Sequence, residues 1–153
     1  MSLFIQNEFN KIKRKYNLTS SRGLIKQAGI KLLELPLDDN TGGLTVTNNR
    51  CSTIIINCNW EEHYQEFVIL HEFSHLRLHG WASTPFYRKM GTGNFVVPKI
   101  EREANELAID ILVAMQDQDV IHDLTKNQLA YYLGVEPYLI DYLSIYKDAE
   151  CTL

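Results

Sequence analysis

The chain has 153 residues, 45% hydrophobic and 22% charged, a composition typical of a soluble globular protein with one domain. A net charge of −4 at pH 7 disfavours a general nucleic-acid binder, because contacts to phosphate groups need a basic surface. No apolar run is long enough to span a membrane, no signal peptide is evident, and three cysteines lack a metal-binding spacing, so we expect a cytoplasmic protein.

The N-terminal half of the chain predicts two helices followed by three strands. Apolar residues recur at helical spacing over residues 4–16, and a second, shorter helix ends at Gly29. Residues 30–37, 44–47 and 52–57 have strand patterns separated by turn-forming residues. We expect these three strands to form a small mixed or antiparallel sheet.

The C-terminal half predicts four helices and one long connection. The predicted helices cover residues 60–78, 100–116, 126–133 and 137–146. Gly80 is the expected C-cap of the first of them. A connection as long as residues 81–99 often carries function inside a compact domain. The predicted class is therefore α+β, a single domain over residues 1–153 in which the small sheet packs against two of the helices.

His71, Glu72 and His75 form the pattern H-E-x-x-H inside the helix predicted over residues 60–78. Side chains four residues apart lie on the same face of a helix, so the two imidazoles can bind one Zn²⁺. Glu72 lies beside them and can take a proton from a water molecule. The apolar run at residues 67–70 indicates a buried helix, where histidines need partners. The pattern predicts zinc-dependent peptide hydrolysis.

His79 continues the histidine series but is a poor third ligand. At a rise of about 1.5 Å per residue it lies roughly 12 Å along the helix axis from His71. Two bonds of about 2 Å to one zinc cannot span that separation. We expect His79 to support a ligand, to face the substrate, or simply to end the helix.

A carboxylate from a later helix is the remaining source of a third zinc ligand. The helix over residues 100–116 offers Glu101, Glu103, Glu106 and Asp110. The last three share one face of this helix. One of them can bind the zinc, and another can accept the Nδ1 proton of a ligating histidine in a hydrogen bond.

Two stretches of the sequence together resemble the ImmA/IrrE family of metallopeptidases. Residues 71–79 read H-E-F-S-H-L-R-L-H, similar to the family pattern H-E-x-x-H-x-x-x-H. Residues 101–108 contain Glu103-Ala104-Asn105, similar to E-A-N-x-F-A. The resemblance covers residues 20–146. It implies a gluzincin-like domain with Zn²⁺ held by two histidines and a glutamate.

The family resemblance also implies a ligand and a partner. It makes Glu103 the third zinc ligand and Glu106 the lesser candidate. Some members of the family cleave or otherwise relieve a helix-turn-helix repressor encoded nearby in a phage or mobile element. The resemblance therefore implies an intracellular endopeptidase of narrow specificity whose protein partner is such a repressor.

Peptide hydrolysis also needs a hydrogen-bond donor that stabilises the oxyanion formed from the peptide carbonyl, and His79 and Tyr87 are candidates by their positions. Tyr87 lies in residues 85–93, which form either a rim that admits a peptide or an ordinary surface loop.

Two alternatives lead to other classes of function. A regulatory protein with the same zinc fold could act by binding a repressor or DNA without cleavage, although the intact Glu72 favours catalysis. Residues 125–146 resemble a helix-turn-helix, but the second helix contains Tyr138, Asp141 and Tyr142 and no arginine. We expect that segment to pack or to recognise protein, and we do not expect nucleic acid as a partner.

Overall fold

The described part of the chain covers residues 2–80 and 98–143 and the backbone of residues 86–87, in a computed structural model. The helices are α1 (Leu3–Lys15), α2 (Ser21–Gln27), α3 (Glu62–Leu78), α4 (Lys99–Ala114), α5 (Gln118–Ile121), α6 (Lys126–Leu133) and α7 (Pro137–Ile140). The strands are β1 (Lys31–Leu35), β2 (Thr41–Asn48), β3 (Cys51–Asn57) and β4 (Phe86–Tyr87). The predicted α+β class is confirmed. Among the described residues, no helix is both long and apolar enough to cross a bilayer.

The sheet is mixed, with the strand order β1-β3-β2-β4. Strand β1 runs parallel to β3, whereas β2 runs antiparallel to both β3 and β4. Asn49 and Arg50 connect β2 to β3 with φ angles of 50° and 64°, as a two-residue hairpin turn requires. The three predicted strands are present. Strand β4 lies within the predicted connection and was not foreseen.

Helix α3 packs closely on one face of the sheet. The register pairs Gly43 with Ile56 and Thr45 with Ile54 across β2 and β3. A Cβ atom added to Gly43 would lie 2.6 Å from Cγ1 of Val68 on α3. The missing side chain therefore lets the helix approach the backbone of β2, and it brings Thr45 close to the middle of α3.

Asn57 fixes the connection between β1 and β2. Its Nδ2 donates to the carbonyl oxygens of Asp38 and Thr41, at 2.9 and 3.0 Å. Its Oδ1 accepts from the backbone N–H groups of Leu37 and Asn59, at 3.3 and 3.0 Å. One buried side chain thus pairs with four backbone groups, three of them in or next to the connection between β1 and β2, and holds the start of β2 in place.

Helix α1 covers the pair formed by α3 and α4. Ile5 and Ile12 are almost completely buried, and they lie seven residues apart on one face of α1. Glu8, on the same helix, accepts from Nε of Arg77 near the end of α3 at 2.7 Å. Helix α1 is therefore part of the core and not an appendage.

The C-terminus of α3 differs from the prediction. Gly80 was expected to cap the helix, but His79 occupies the C-cap position, with φ −135° and ψ 50°. Among the described glycines, only Gly29 and Gly134 have positive φ. The expected role of Gly29 as a helix terminator is confirmed, whereas that of Gly80 is wrong. The helix ends on a buried histidine because that side chain has partners inside the protein.

The helix-turn-helix-like segment packs its turn against α3. Gly134 ends α6 in the left-handed conformation, and the ring of His63 lies directly over it. The hydroxyl of Tyr64 donates to Oε1 of Glu136 at 3.3 Å. Helix α7 has only four residues, shorter than predicted, and residues 144–146 lie outside the described part.

Gly134 and Gly29 offer a matched test of this packing. Both have left-handed backbones, where a Cβ costs about 1–2 kcal/mol. An added Cβ at Gly134 would lie 2.6–2.8 Å from three atoms of His63, whereas one at Gly29 meets nothing within 4 Å. We expect Gly134→Ala to lower the free energy of unfolding by about 1–3 kcal/mol more than Gly29→Ala, measured by urea denaturation.

A second substitution checks the cause. His63→Ala should reduce the extra cost of Gly134→Ala, because it removes Cγ and Cδ2, the two ring atoms that the new Cβ would meet at 2.6 Å. Equal costs for the two glycine substitutions would contradict the proposed contact.

Candidate active site

Helix α3 carries the central residues of the site on a buried turn. His71, Glu72 and His75 are exposed to only 0%, 1% and 2% of their surface. The 3.6-residue period places both histidines on the face that meets α4. Ionisable groups buried in this way require charged or hydrogen-bonding partners, and α4 and β2 supply them.

The two histidines and Glu101 bring three potential ligand atoms together. The Nε2 atoms of His71 and His75 are 3.1 Å apart. The carboxylate of Glu101 lies 3.1 Å from the first nitrogen, through Oε2, and 2.9 Å from the second, through Oε1. In a tetrahedral zinc site with bonds near 2.0–2.1 Å, ligand atoms lie about 3.3 Å apart. The cluster therefore has nearly the dimensions of a zinc site.

Electrostatics in this cluster favour a cation. Burial opposes ionisation of Glu101, but hydrogen bonds with His71 and His75 outweigh it and hold its pKa well below the ordinary value. A carboxylate therefore faces two imidazole nitrogens in the interior. The hydrogen bonds place protons between these nitrogens and the carboxylate, and a bound cation can take their place, since imidazole with carboxylate is a common donor set for zinc.

The expectation that Glu103 is the third ligand disagrees with this geometry. Two residues along a helix correspond to a rotation of about 200°, so Glu101 and Glu103 cannot point to the same place. Oε1 of Glu103 instead lies 3.6 Å from Nε2 of His79. The face turned towards His71 contains Glu101 and Asn105, which are four residues apart. It does not contain the predicted acidic stripe of Glu103, Glu106 and Asp110.

Glu106 and Asp110, also on the predicted stripe, are buried on α4, but neither belongs to the three-residue cluster. Glu103 and Glu106 line a cleft of about 330 Å³ beside the start of α1. The structure therefore separates the predicted acidic stripe from the histidine pair.

Asn105 orients His71 and was missed by the sequence analysis. Its Oδ1 lies 2.8 Å from Nδ1 of His71, and both side chains are buried. The nitrogen donates and the amide oxygen accepts, which leaves Nε2 directed at Glu101. The acidic residues of this helix predicted a carboxylate in this role. The signal was present, since Asn105 follows Glu101 by one helical turn.

Glu72 is held by a hydroxyl group from the sheet. Oγ1 of Thr45 donates to Oε2 of Glu72 at 2.7 Å, and Oε1 is buried with no hydrogen-bond partner among the described residues. Burial raises the pKa of Glu72, against the charge of His71 and the hydrogen bond from Thr45. A buried acceptor without a donor fits a site that receives a proton from a bound molecule. Thr45 was missed too, although it is a polar residue between the apolar Leu44 and Val46.

His79 lies next to the cluster without joining it. Its Nδ1 is 3.3 Å from Nδ1 of His75, and its side chain is buried. Burial and the neighbouring His75 lower the pKa of His79 against the opposing charge of Glu103. Tyr87 belongs to β4, but its side chain is outside the described part of the structure, as are residues 85 and 88–93. Its expected role at the oxyanion therefore stays a prediction.

Comparison with known proteins gives one match. The family model described as the IrrE N-terminal-like domain (Peptidase_M78) matches residues 25–139, which is most of the chain and includes every residue of the cluster. Comparisons with curated proteins and with solved structures found no match.

Glu72→Gln should stabilise the metal-free protein. The unfolded chain ionises this carboxyl near pH 4.5, whereas burial raises the folded pKa. The folded protein therefore binds more protons between these two values, and its stability falls as pH rises through that window. Removing the unsatisfied buried carboxylate should raise the free energy of unfolding by about 1–3 kcal/mol at neutral pH.

The measurement is urea denaturation of chelator-treated protein from pH 4.5 to pH 8. Glu62→Gln is the control, since it changes an exposed glutamate in the first turn of the same helix. The advantage of Glu72→Gln should grow with pH, and a difference that is independent of pH would contradict the raised pKa.

Proposed function

Because the chain belongs to the family of IrrE N-terminal-like domains, which are related to peptidases, we propose that it is a zinc-dependent endopeptidase. The observation that carries this proposal is the convergence of His71, His75 and Glu101 beside an oxygen of Glu72 that has no hydrogen-bond partner in the described part of the chain. Three protein ligands with an adjacent base are the minimum that hydrolysis at a zinc site requires.

The proposed ligands are Nε2 of His71, Nε2 of His75 and the carboxylate of Glu101. Two histidines and one glutamate are a donor set that catalytic zinc sites use, with a fourth position left for water or substrate. When bound there, zinc would supply Lewis acidity, making water nucleophilic near neutral pH and polarising a peptide carbonyl.

Glu72 is the proposed general base. The hydroxyl of Thr45 holds Oε2, so Oε1 is the oxygen that accepts a proton from the attacking water. The raised pKa of Glu72 makes it a stronger base than an exposed glutamate, which suits proton transfer near neutral pH. The same oxygen then delivers the proton to the leaving amine.

The proposed substrate is an intracellular helix-turn-helix repressor of a phage or mobile element, cleaved with narrow specificity. The resemblance to the ImmA/IrrE family supports this choice. The burial of the site also supports selectivity, since both histidines are almost fully enclosed and Glu101 is 21% exposed. A peptide bond can reach such an enclosed site only if it lies in a segment that extends away from the folded surface of the substrate protein.

A regulator that binds a repressor or DNA without cleavage is the second candidate. A buried, unsatisfied carboxylate at Glu72 is costly to a protein that only binds, so it counts against this candidate. DNA is disfavoured as a partner because α7, the second helix of the helix-turn-helix-like segment, has four residues and contains no lysine or arginine. Tyr131 of α6, 91% exposed, offers a surface better suited to protein than to phosphate.

Metal analysis tests the ligand set. Protein reconstituted with excess zinc and then dialysed should contain about one zinc per chain. Glu101→Ala should lose most of it, because a carboxylate ligand is removed. Glu106→Ala, on the same helix, is the matched control and should still load about one equivalent. Loss of zinc in Glu103→Ala with retention in Glu101→Ala would overturn the assignment.

Cleavage of a purified helix-turn-helix repressor encoded beside this gene tests the reaction. We expect Glu72→Gln to retain zinc and to cleave about 10²–10⁴-fold more slowly, because it lacks the base. The assay follows the fragments by mass spectrometry. Binding without cleavage, unchanged in Glu72→Gln, would support the regulator instead.

A further inference from the structure

We propose that His79 is a positioning residue that fixes the ligating tautomer of His75, and that Glu103 selects this arrangement. The inference rests on the proposed metal site. Its basis is a row of contacts that leads away from the cluster. Nδ1 of His75 lies 3.3 Å from Nδ1 of His79, and Nε2 of His79 lies 3.6 Å from Oε1 of Glu103.

The two facing Nδ1 atoms restrict where protons can lie. A neutral imidazole carries one proton, so a hydrogen bond between the two Nδ1 atoms requires one of them to donate and the other to accept. If His75 binds metal through Nε2, its proton lies on Nδ1 and is donated to His79. The proton of His79 then lies on Nε2. Metal binding by His75 therefore requires a defined tautomer of His79.

Glu103 favours this tautomer of His79. Its carboxylate faces Nε2 of His79, and it attracts a proton on that nitrogen but repels a bare lone pair. The separation of 3.6 Å exceeds a hydrogen bond, so the effect is electrostatic. Partial burial of Glu103, with 17% of its side chain exposed, leaves this interaction incompletely screened by solvent.

The other histidine of the pair has an equivalent partner. Oδ1 of Asn105 accepts from Nδ1 of His71 at 2.8 Å, in the role that Nδ1 of His79 has for His75. Both histidines of the cluster thus have a buried acceptor behind them. The comparison also suggests a replacement, because Oδ1 of an asparagine occupies nearly the place of Nδ1 in a histidine.

The backbone holds His79 in position for this role. The N–H of His79 donates to the carbonyl oxygen of His75 at 2.6 Å. The residue then leaves the helical conformation, at φ −135° and ψ 50°, and its side chain stays buried. A helix end usually turns polar side chains to solvent, so retention of this ring inside the protein fits a specific partner.

Zinc affinity is the first readout, measured by competition with a chromophoric chelator. His79→Leu removes the acceptor and should weaken binding about 10–100-fold, as loss of an outer partner of a metal ligand typically does. His79→Asn should restore affinity close to wild type because it supplies an acceptor oxygen. His122→Asn, which changes an exposed histidine outside the site, is the control and should have no effect.

A double-mutant cycle isolates the role of Glu103. Glu103→Gln should weaken zinc binding when residue 79 is histidine and should have little effect in the His79→Asn background, where no Nε2 is present. The absorption spectrum of bound Co²⁺ in each variant reports the geometry at the metal. Circular dichroism identifies any variant that has not folded, and the cycle does not depend on His79→Leu.

The outcomes separate this inference from the proposed function. Wild-type affinity in His79→Leu, or equal effects of Glu103→Gln in both backgrounds, would overturn the positioning role and leave the zinc site intact. Failure of the wild-type protein to bind zinc would overturn the proposed function, and the positioning role with it.

Discussion

The packing of α4 against α3 determines which side chains meet, and the site depends on that contact. Each helix presents a pair of polar residues separated by four positions, His71 and His75 on α3 and Glu101 and Asn105 on α4. These four groups satisfy one another in an interior where each alone would be strongly destabilising. A rotation of α4 by one residue, about 100°, would replace the carboxylate with another side chain and move both Glu101 and Asn105 away from the histidines.

The sheet supplies the second constraint on the site. Gly43 allows α3 to approach β2, and that approach places Thr45 within hydrogen-bonding distance of Glu72. Asn57 fixes the start of β2 by binding the preceding connection. The position of the proposed base therefore depends on residues in two strands that have no ligand role. Among the described residues its second oxygen has no donor, which makes the buried carboxylate costly to the folded protein.

The sequence predicted those features that follow from local periodicity and spacing. The motif helix, the three main strands and the end of α2 at Gly29 were all foreseen, because period, turn residues and a left-handed glycine act locally. The choice between Glu101 and Glu103 was not predictable in this way. It depends on the rotation of α4 about its axis, which tertiary packing decides. Strand β4 and the roles of Thr45 and Asn105 also arise from contacts between distant segments.

Helix α1 lies before the region that the family model matches, yet its apolar side chains are part of the core. Burial of one isoleucine contributes about 1.5–3 kcal/mol, so Ile5 and Ile12 together supply an amount comparable with the net stability of a small domain. Expression of a fragment trimmed to residues 25–139 would uncover the flank of α3 and α4 that α1 covers. The region that the family model matches is therefore smaller than the packed core of this chain.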